Sequence, residues 1–276
     1  MRSMATGPRR RALVALTACL SLLVACAAPR PASDSAPRSG TPSRLPGDAV
    51  PREEPRSRYG NGPVYEVFGE KYRVMNTSYG YRERGVASWY GKKFHGRLTS
   101  SREPYDMYAM TAAHKTLPLP TYVRVTNLKN GKSIIVRVND RGPFVHNRLI
   151  DLSYSAALRL DMVTDGTSLV EVEAISYDAP PAARTQVASA TPKPAPQRDS
   201  GVFVQVGAFG DANNARRRYR QLRESGIGHA FVQEDRSSSP PLFRVRIGPI
   251  ANVAEYDNLV ARLGRLGITE THLVTD

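Results

Sequence analysis

The sequence predicts two folded domains, a mostly-β barrel at about 59–177 and a small α+β domain of ferredoxin-like order at 201–276. Three observations predict it. Short runs of β-branched and aromatic residues, broken by Gly-rich turns, fill the first stretch, the pattern of a small barrel. The second stretch repeats strand then helix, with Val245-Arg246-Ile247-Gly248 following Val204-Gln205-Val206-Gly207 at a spacing of 41 residues. Two Pro- and Ala-rich segments, 26–58 and 178–200, are too poor in large apolar side chains to offset the entropy of ordering, so they read as a tether and a linker.

In chain order, Val64–Phe68 and Lys71–Met75 flank Gly69-Glu70 as a hairpin. Gly85–Tyr90 is a short strand. Tyr122–Thr126 alternates, turns at Asn130-Gly131 and resumes as Ser133–Asn139. Ser153 caps a short helix reaching Leu160, and Leu169–Ile175 sets Val170, Val172 and Ala174 against Glu171 and Glu173. In the second domain, Asp211–Glu224 carries Ala215, Tyr219 and Leu222 on one helical face, and Asn252–Leu266 repeats the pattern with Tyr256, Leu259 and Leu263. Ala230–Gln233 and Leu273–Thr275 complete a β-α-β-β-α-β order, one sheet backed by two helices.

The chain begins with Arg9-Arg10-Arg11 and an apolar run from Ala12 to Ala25, too short to span a bilayer and arranged as a secretory signal over 1–25. It ends in Leu23-Val24-Ala25-Cys26, which resembles a bacterial lipobox, so Cys26 is expected to be acylated. Cys19 leaves with the signal, so the mature domains hold no disulfide, thiol nucleophile or cysteine metal site. The net charge is +14, and 26–276 keep +10, because four of the 39 basic residues and none of the 25 acidic ones lie in the signal. An exported protein does not meet nucleic acid, so the basicity points to lipid headgroups and cell-wall polymers.

A dense polar run between Trp89 and Leu117 holds His95, Glu103, Asp106 and His114. Asp140 follows in Asn139-Asp140-Arg141-Gly142-Pro143, and Asp151 lies between Ile150 and Leu152. Carboxylates at strand ends beside a histidine suit acid–base work on a glycosidic bond, and the apolar neighbours of Asp151 fit partial burial. The same residues equally fit a turn ion pair, loop caps and a satisfied buried histidine. No phosphate loop or Gly-x-Ser-x-Gly elbow occurs, and His95 and His114 lack metal-ligand spacing, so no cofactor or metal is expected.

Gly85–Thr99, Tyr105–Lys115 and Val138–Phe144 closely resemble the signatures of the rare lipoprotein A family, over roughly 63–177. Phe203–Phe209 and Arg244–Pro249 resemble the sporulation-related repeat (SPOR) domain. The resemblance implies a double-psi β-barrel and a SPOR domain, and a lytic transglycosylase that cleaves between N-acetylmuramic acid and N-acetylglucosamine to leave 1,6-anhydro ends. It maps active-site roles onto Glu103, Asp106 and His114, and looser barrel analogy makes Asp140 or Asp151 the acid–base. It departs at Arg102, where the family usually has the glycine suited to a turn of positive φ. It further implies that Gln205, Arg244 and Arg246 hold glycan stripped of stem peptides, pairing with hydroxyls and lactyl carboxylates. Outer-membrane anchoring, a place at the division septum and partners in the division machinery are implied too. A barrel that binds glycan without cutting it is the other reading.

Overall fold

The computed structural model describes residues 45–145, 147–176, 201–237 and 239–275. The signal segment, Cys26, the first part of the tether and the 178–200 linker lie outside the described residues.

Residues 45–58 correct the tether reading. They lie on the barrel as a strap, with Ala49 N donating to Ile135 O at 3.0 Å and Ser57 N to Leu119 O at 2.8 Å. Asp48 pairs with Arg159, and Arg56 donates to the Met75 carbonyl at 3.0 Å. Backbone hydrogen bonds and ion pairs hold this segment, and a composition count sees neither.

β1 (Val64–Val67) and β2 (Glu70–Arg73) form a separate two-stranded hairpin. Its turn residues are Phe68 and Gly69, with φ of 52° and 81°, one position earlier than the sequence pattern placed them. The barrel closes in the order β3-β7-β4-β6-β5-β8. Its members are β3 (Arg82–Trp89), β4 (Thr111–His114), β5 (Thr121–Asn127), β6 (Ser133–Asp140), β7 (Arg148–Leu152) and β8 (Thr167–Ile175). β3 pairs parallel with β7, and β4 with β6; the other neighbours are antiparallel. This is the double-psi barrel. Alternation along β5, β6 and β8 drives Val123, Val125, Val136, Val138, Val170 and Val172 inside, each at 0 % exposure. Burying such a side chain is worth about 1.5–3 kcal/mol.

Two bulges shape the wall. Val86 pairs with Arg148 and Ala87 with Ile150, so Leu149 is the extra residue. It packs on Gly85, where a Cβ would come within 2.7 Å of the Leu149 Cβ. Likewise Ala112 pairs with Val138 but Ala113 with Asp140, leaving Asn139 extra. Helix α1 (Tyr154–Arg159) starts at Ser153, whose hydroxyl accepts from Ala156 N and donates to Ala109 O.

The C-terminal domain has the expected order of β9 (Val202–Phe209), α2 (Ala212–Glu224), β10 (Ala230–Asp235), β11 (Leu242–Ile247), α3 (Val253–Arg265) and β12 (His272–Thr275). The antiparallel sheet runs β10-β11-β9-β12. Val204, Val245, Ile247 and Leu273 share a core with Ala215 and Leu222 of α2 and Tyr256, Leu259 and Leu263 of α3. The opposite sheet face carries no helix among the described residues. Asp211 caps α2 by accepting from Asn213 N and Asn214 N, and Asn252 caps α3 through Glu255 N.

Candidate active site and the free sheet face

Strand register builds one row of side chains across four barrel strands. Ser88 pairs with Asp151, Asp151 with Ala113, and Ala113 with Asp140. Directly opposed residues share a face, and their neighbours Ala87, Ala112, Ile150 and Leu152 fill the interior, so this row lies on the outer wall. The bulge at Asn139 is what turns Asp140 outward. With Ala113 between them, Asp151 and Asp140 stand two strand spacings apart, about 10 Å between Cα atoms. Ser88 donates to Asp151 Oδ1. Tyr90, Tyr105 and Met107 pack around Ala113, so the loop between β3 and β4 covers part of the wall.

The other predicted residues take different places. Glu103 is held by Arg137, whose Nη1 and Nη2 donate to Oε2 and Oε1 at 2.7 and 3.0 Å, and by Asn139 Nδ2 at 2.8 Å. Burial pushes its pKa up, but the hydrogen bonds from Arg137 and Asn139 outweigh that and leave it below the ordinary value. Arg137 also grips Glu54 of the strap, Nη2 to Oε2 at 2.8 Å and Nε to Oε1 at 3.0 Å. Asp140 Oδ1 accepts from Ser100 N, Ser100 Oγ and Arg141 N at 2.8, 2.7 and 2.7 Å, which fixes the 99–103 turn. Within that turn Arg102 takes φ 67°, the conformation for which glycine is suited, and Glu103 still reaches Arg137.

His114 is buried, 2 % exposed. Its Nδ1 accepts from Thr116 N and Leu117 N at 3.2 and 3.1 Å, so Nε2 carries the proton and donates to Tyr81 Oη at 2.8 Å. Burial, reinforced by the charges of Arg141 and Lys115, lowers its pKa to about 3, so it stays neutral. Its side chain is not brought to the row, because Ala113, its neighbour on β4, points outward in its place. Asp106 is exposed, accepts from Tyr108 N at 2.9 Å and lies 3.7 Å from His95. Arg141 ties the surrounding loops by donating to Gly60 O, Leu117 O and Asn61 Oδ1 at 2.8, 2.6 and 3.2 Å.

Ser88, Glu54 and Arg137 went unmarked in the sequence. Each is defined by a partner 34 to 83 residues away. Lys115 is another; its Nζ donates to Arg148 O at 2.7 Å, burial lowers its pKa, and the charges of Glu70, Glu83 and Asp151 oppose that shift. No group of three His, Cys, Asp or Glu fit for a metal occurs among the described residues.

The free face of the second sheet carries a comparable row. Phe231 pairs with Arg246, Arg246 with Gln205, and Gln205 with His272, across all four strands. Gln205 and Arg246 thus stand side by side. Arg244 Nε and Nη2 donate to Asp235 Oδ2 at 2.9 and 2.6 Å. A groove of about 540 Å³ runs beside the row, lined by Gln205, Phe209, Arg218, Glu270 and His272.

The fold and the site define a two-module protein, a double-psi barrel with an acidic outer wall followed by an antiparallel sheet backed by two helices. The sequence model described as "Lytic transglycolase" matches residues 82–172, and that of the SPOR domain matches 199–271. The endolytic peptidoglycan transglycosylase RlpA of Pseudomonas aeruginosa PAO1 is 40 % identical over 86 % of this chain and 84 % of its own length. The RlpA of Neisseria meningitidis Z2491 is 45 % identical over 74 % of this chain and 80 % of its own. The chain belongs to the RlpA family. Among solved structures, Streptomyces papain inhibitor aligns at 22 % identity with a TM-score of 0.29, over 35 % of this chain and 96 % of that one.

Proposed function

We propose that this protein is an endolytic peptidoglycan lytic transglycosylase whose acid–base is Asp151. The observation that carries this is the outer-wall row, in which the half-buried Asp151 stands between the buried Ser88 and Ala113 and accepts a hydrogen bond from Ser88. Glu103 is committed to Arg137 and Asn139, Asp140 to the 99–103 turn, and His114 to two backbone N–H groups. These three act as positioning residues. Asp106 stays a second candidate for contact with glycan, because it is exposed.

In the reaction, the Asp151 carboxyl gives its proton to the glycosidic oxygen, and the bond from that oxygen to C1 of the muramoyl residue breaks. The muramoyl 6-hydroxyl oxygen then bonds to C1, and its proton returns to Asp151. The products are a free 4-hydroxyl on N-acetylglucosamine and a 1,6-anhydromuramoyl end. No water is consumed, and one carboxyl suffices, since it ends in its starting state.

The C-terminal sheet holds peptide-free strands through Arg246 and Gln205. A muramoyl unit without its peptide exposes a lactyl carboxylate, which a guanidinium recognises better than it does a capped amide. Acylation of Cys26, anchoring in the outer membrane on the periplasmic side, enrichment at the septum and contact with division proteins extend this reading. They rest on the lipobox-like residues and the SPOR domain.

The deciding experiment digests purified peptide-free glycan with the chain from residue 27 onward and weighs the products. Anhydromuramoyl ends from the native chain, absent with Asp151→Asn while glycan still co-sediments, are expected. Reducing ends would make it a hydrolase, and intact strands that co-sediment with the native chain would make it a binding protein.

A further inference from the structure

The β1–β2 hairpin carries a residue that folding does not explain. Phe68, at its tip, is 92 % exposed and holds φ at 52°. The first centre of such a two-residue turn favours Asn, Asp or Gly, and a bulky side chain there is disfavoured on both backbone and solvation grounds. No ring pairs with Phe68 among the described residues. A strained, exposed aromatic at a hairpin tip points to something it contacts outside the protein.

The hairpin is firmly placed. Tyr65 and Tyr72 oppose one another and their rings stack at 5.3 Å. Phe144, four residues after Asp140, meets them at 6.2 and 5.6 Å. Tyr65 Oη donates to the Lys115 carbonyl at 2.7 Å, two residues beyond Ala113 of the acidic row. Glu70, next to the tip, and Asp151, in the row, both attract the Lys115 ammonium. Tyr90 and Tyr105, buried on Ala113, thus close one side of the row, and the hairpin stands beside Lys115.

We propose that the β1–β2 hairpin is a sugar-binding wall in which Phe68 stacks on a pyranose ring of the glycan strand crossing the Asp151 row. A pyranose presents one face of C–H groups, and burying that face on an aromatic ring removes apolar surface of both partners from water. The hairpin is a better carrier for this than a loop, because the Tyr65–Tyr72–Phe144 stack sets its angle. The proposal rests on the glycan-cleaving reading of the barrel.

The test compares the full mature chain with Phe68→Asn and Phe68→Trp. Asn suits the positive φ, so the turn is kept and only the ring is lost. On peptide-free strands, Phe68→Asn is expected to raise KM about tenfold, a loss equal to burying one aromatic face, while Phe68→Trp stays near the native value. Barrel stability, followed by the fluorescence of Trp89, is expected to be no lower in Phe68→Asn. The same pair is measured by calorimetric binding of short glycan chains in an Asp151→Asn background, where residues 201–276 contribute equally to both. Weaker binding there without cleavage by the native chain would sink the catalytic reading and keep the wall. Unchanged KM and unchanged binding in Phe68→Asn would overturn the wall and leave the catalytic reading standing.

Discussion

Replacing Glu54 by Gln tests whether the strap is part of the barrel. Burial alone would raise the Glu54 pKa, but hydrogen bonds from Arg137 and Tyr122 overcome that and hold it at about 2, against an ordinary 4.5. Its side chain is only 17 % exposed, so solvent screens the pair weakly. At 1.36 kcal/mol for each pH unit the drop is worth at most about 3 kcal/mol at neutral pH. The substituted amide can keep one hydrogen bond, and Arg137 keeps Glu103, so the expected loss is about 1–3 kcal/mol. The assay is urea unfolding followed by fluorescence of Trp89, the single tryptophan, which packs on Tyr154 of the barrel and so reports this domain. The folded pKa is depressed, so the stabilisation is fully present above pH 4.5 and is lost as pH falls towards 2. The gap between native and variant chains therefore stays constant above about pH 5 and closes below it. A gap under about 0.5 kcal/mol at pH 7, within the range of an ordinary surface substitution, would refute the docking of the strap. So would a gap that widens in acid.

Three further outcomes are expected. His114 is held neutral with its pKa lowered from 6.5 to about 3, so it stabilises the barrel fully above pH 6.5 and that contribution is lost as pH falls towards 3. His114→Gln is expected to flatten the decline in Trp89-monitored stability between pH 6.5 and 5, and His114→Ala to lower stability by about 2–4 kcal/mol at pH 7 through two unsatisfied buried N–H groups. Arg102→Gly relieves a non-glycine φ of 67° and is expected to raise the urea midpoint by the equivalent of about 0.5–1 kcal/mol while cleavage is retained. In the second domain, Arg246→Ala is expected to weaken co-sedimentation with peptide-free glycan by about tenfold.

The antiparallel elements were legible because their signal is local. β5, β6 and β8 alternate over seven to nine residues, and the Ser153, Asp211 and Asn252 caps sit where a side-chain oxygen reaches the first helical turn. β4 and β7 escaped notice. Thr-Ala-Ala-His has little strand propensity, Arg-Leu-Ile-Asp-Leu is interrupted by a charge, and each is only four or five residues long. They become strands because β6 and β3 offer them parallel partners, and such pairing carries no mark in a window of sequence. Those two strands bear Ala113 and Asp151, so Asp151 was named from its apolar neighbours without the strand that carries it.

By itself the sequence determined a β-barrel followed by an α+β domain, the ferredoxin-like order of the second, and the family. Each of these is written in composition, periodicity or motif, which are properties of neighbours along the chain. Only the tertiary structure decided where the polar residues stand and what they touch. Register set Asp151 beside Ser88 on the outer wall, a bulge turned Asp140 outward, Arg137 claimed Glu103 and Glu54 together, and His114 turned into the protein. Whether a carboxyl or an imidazole can exchange a proton depends on what lies within about 3 Å of it and how much water reaches it. Barrel closure fixes both, through residues far apart in the chain.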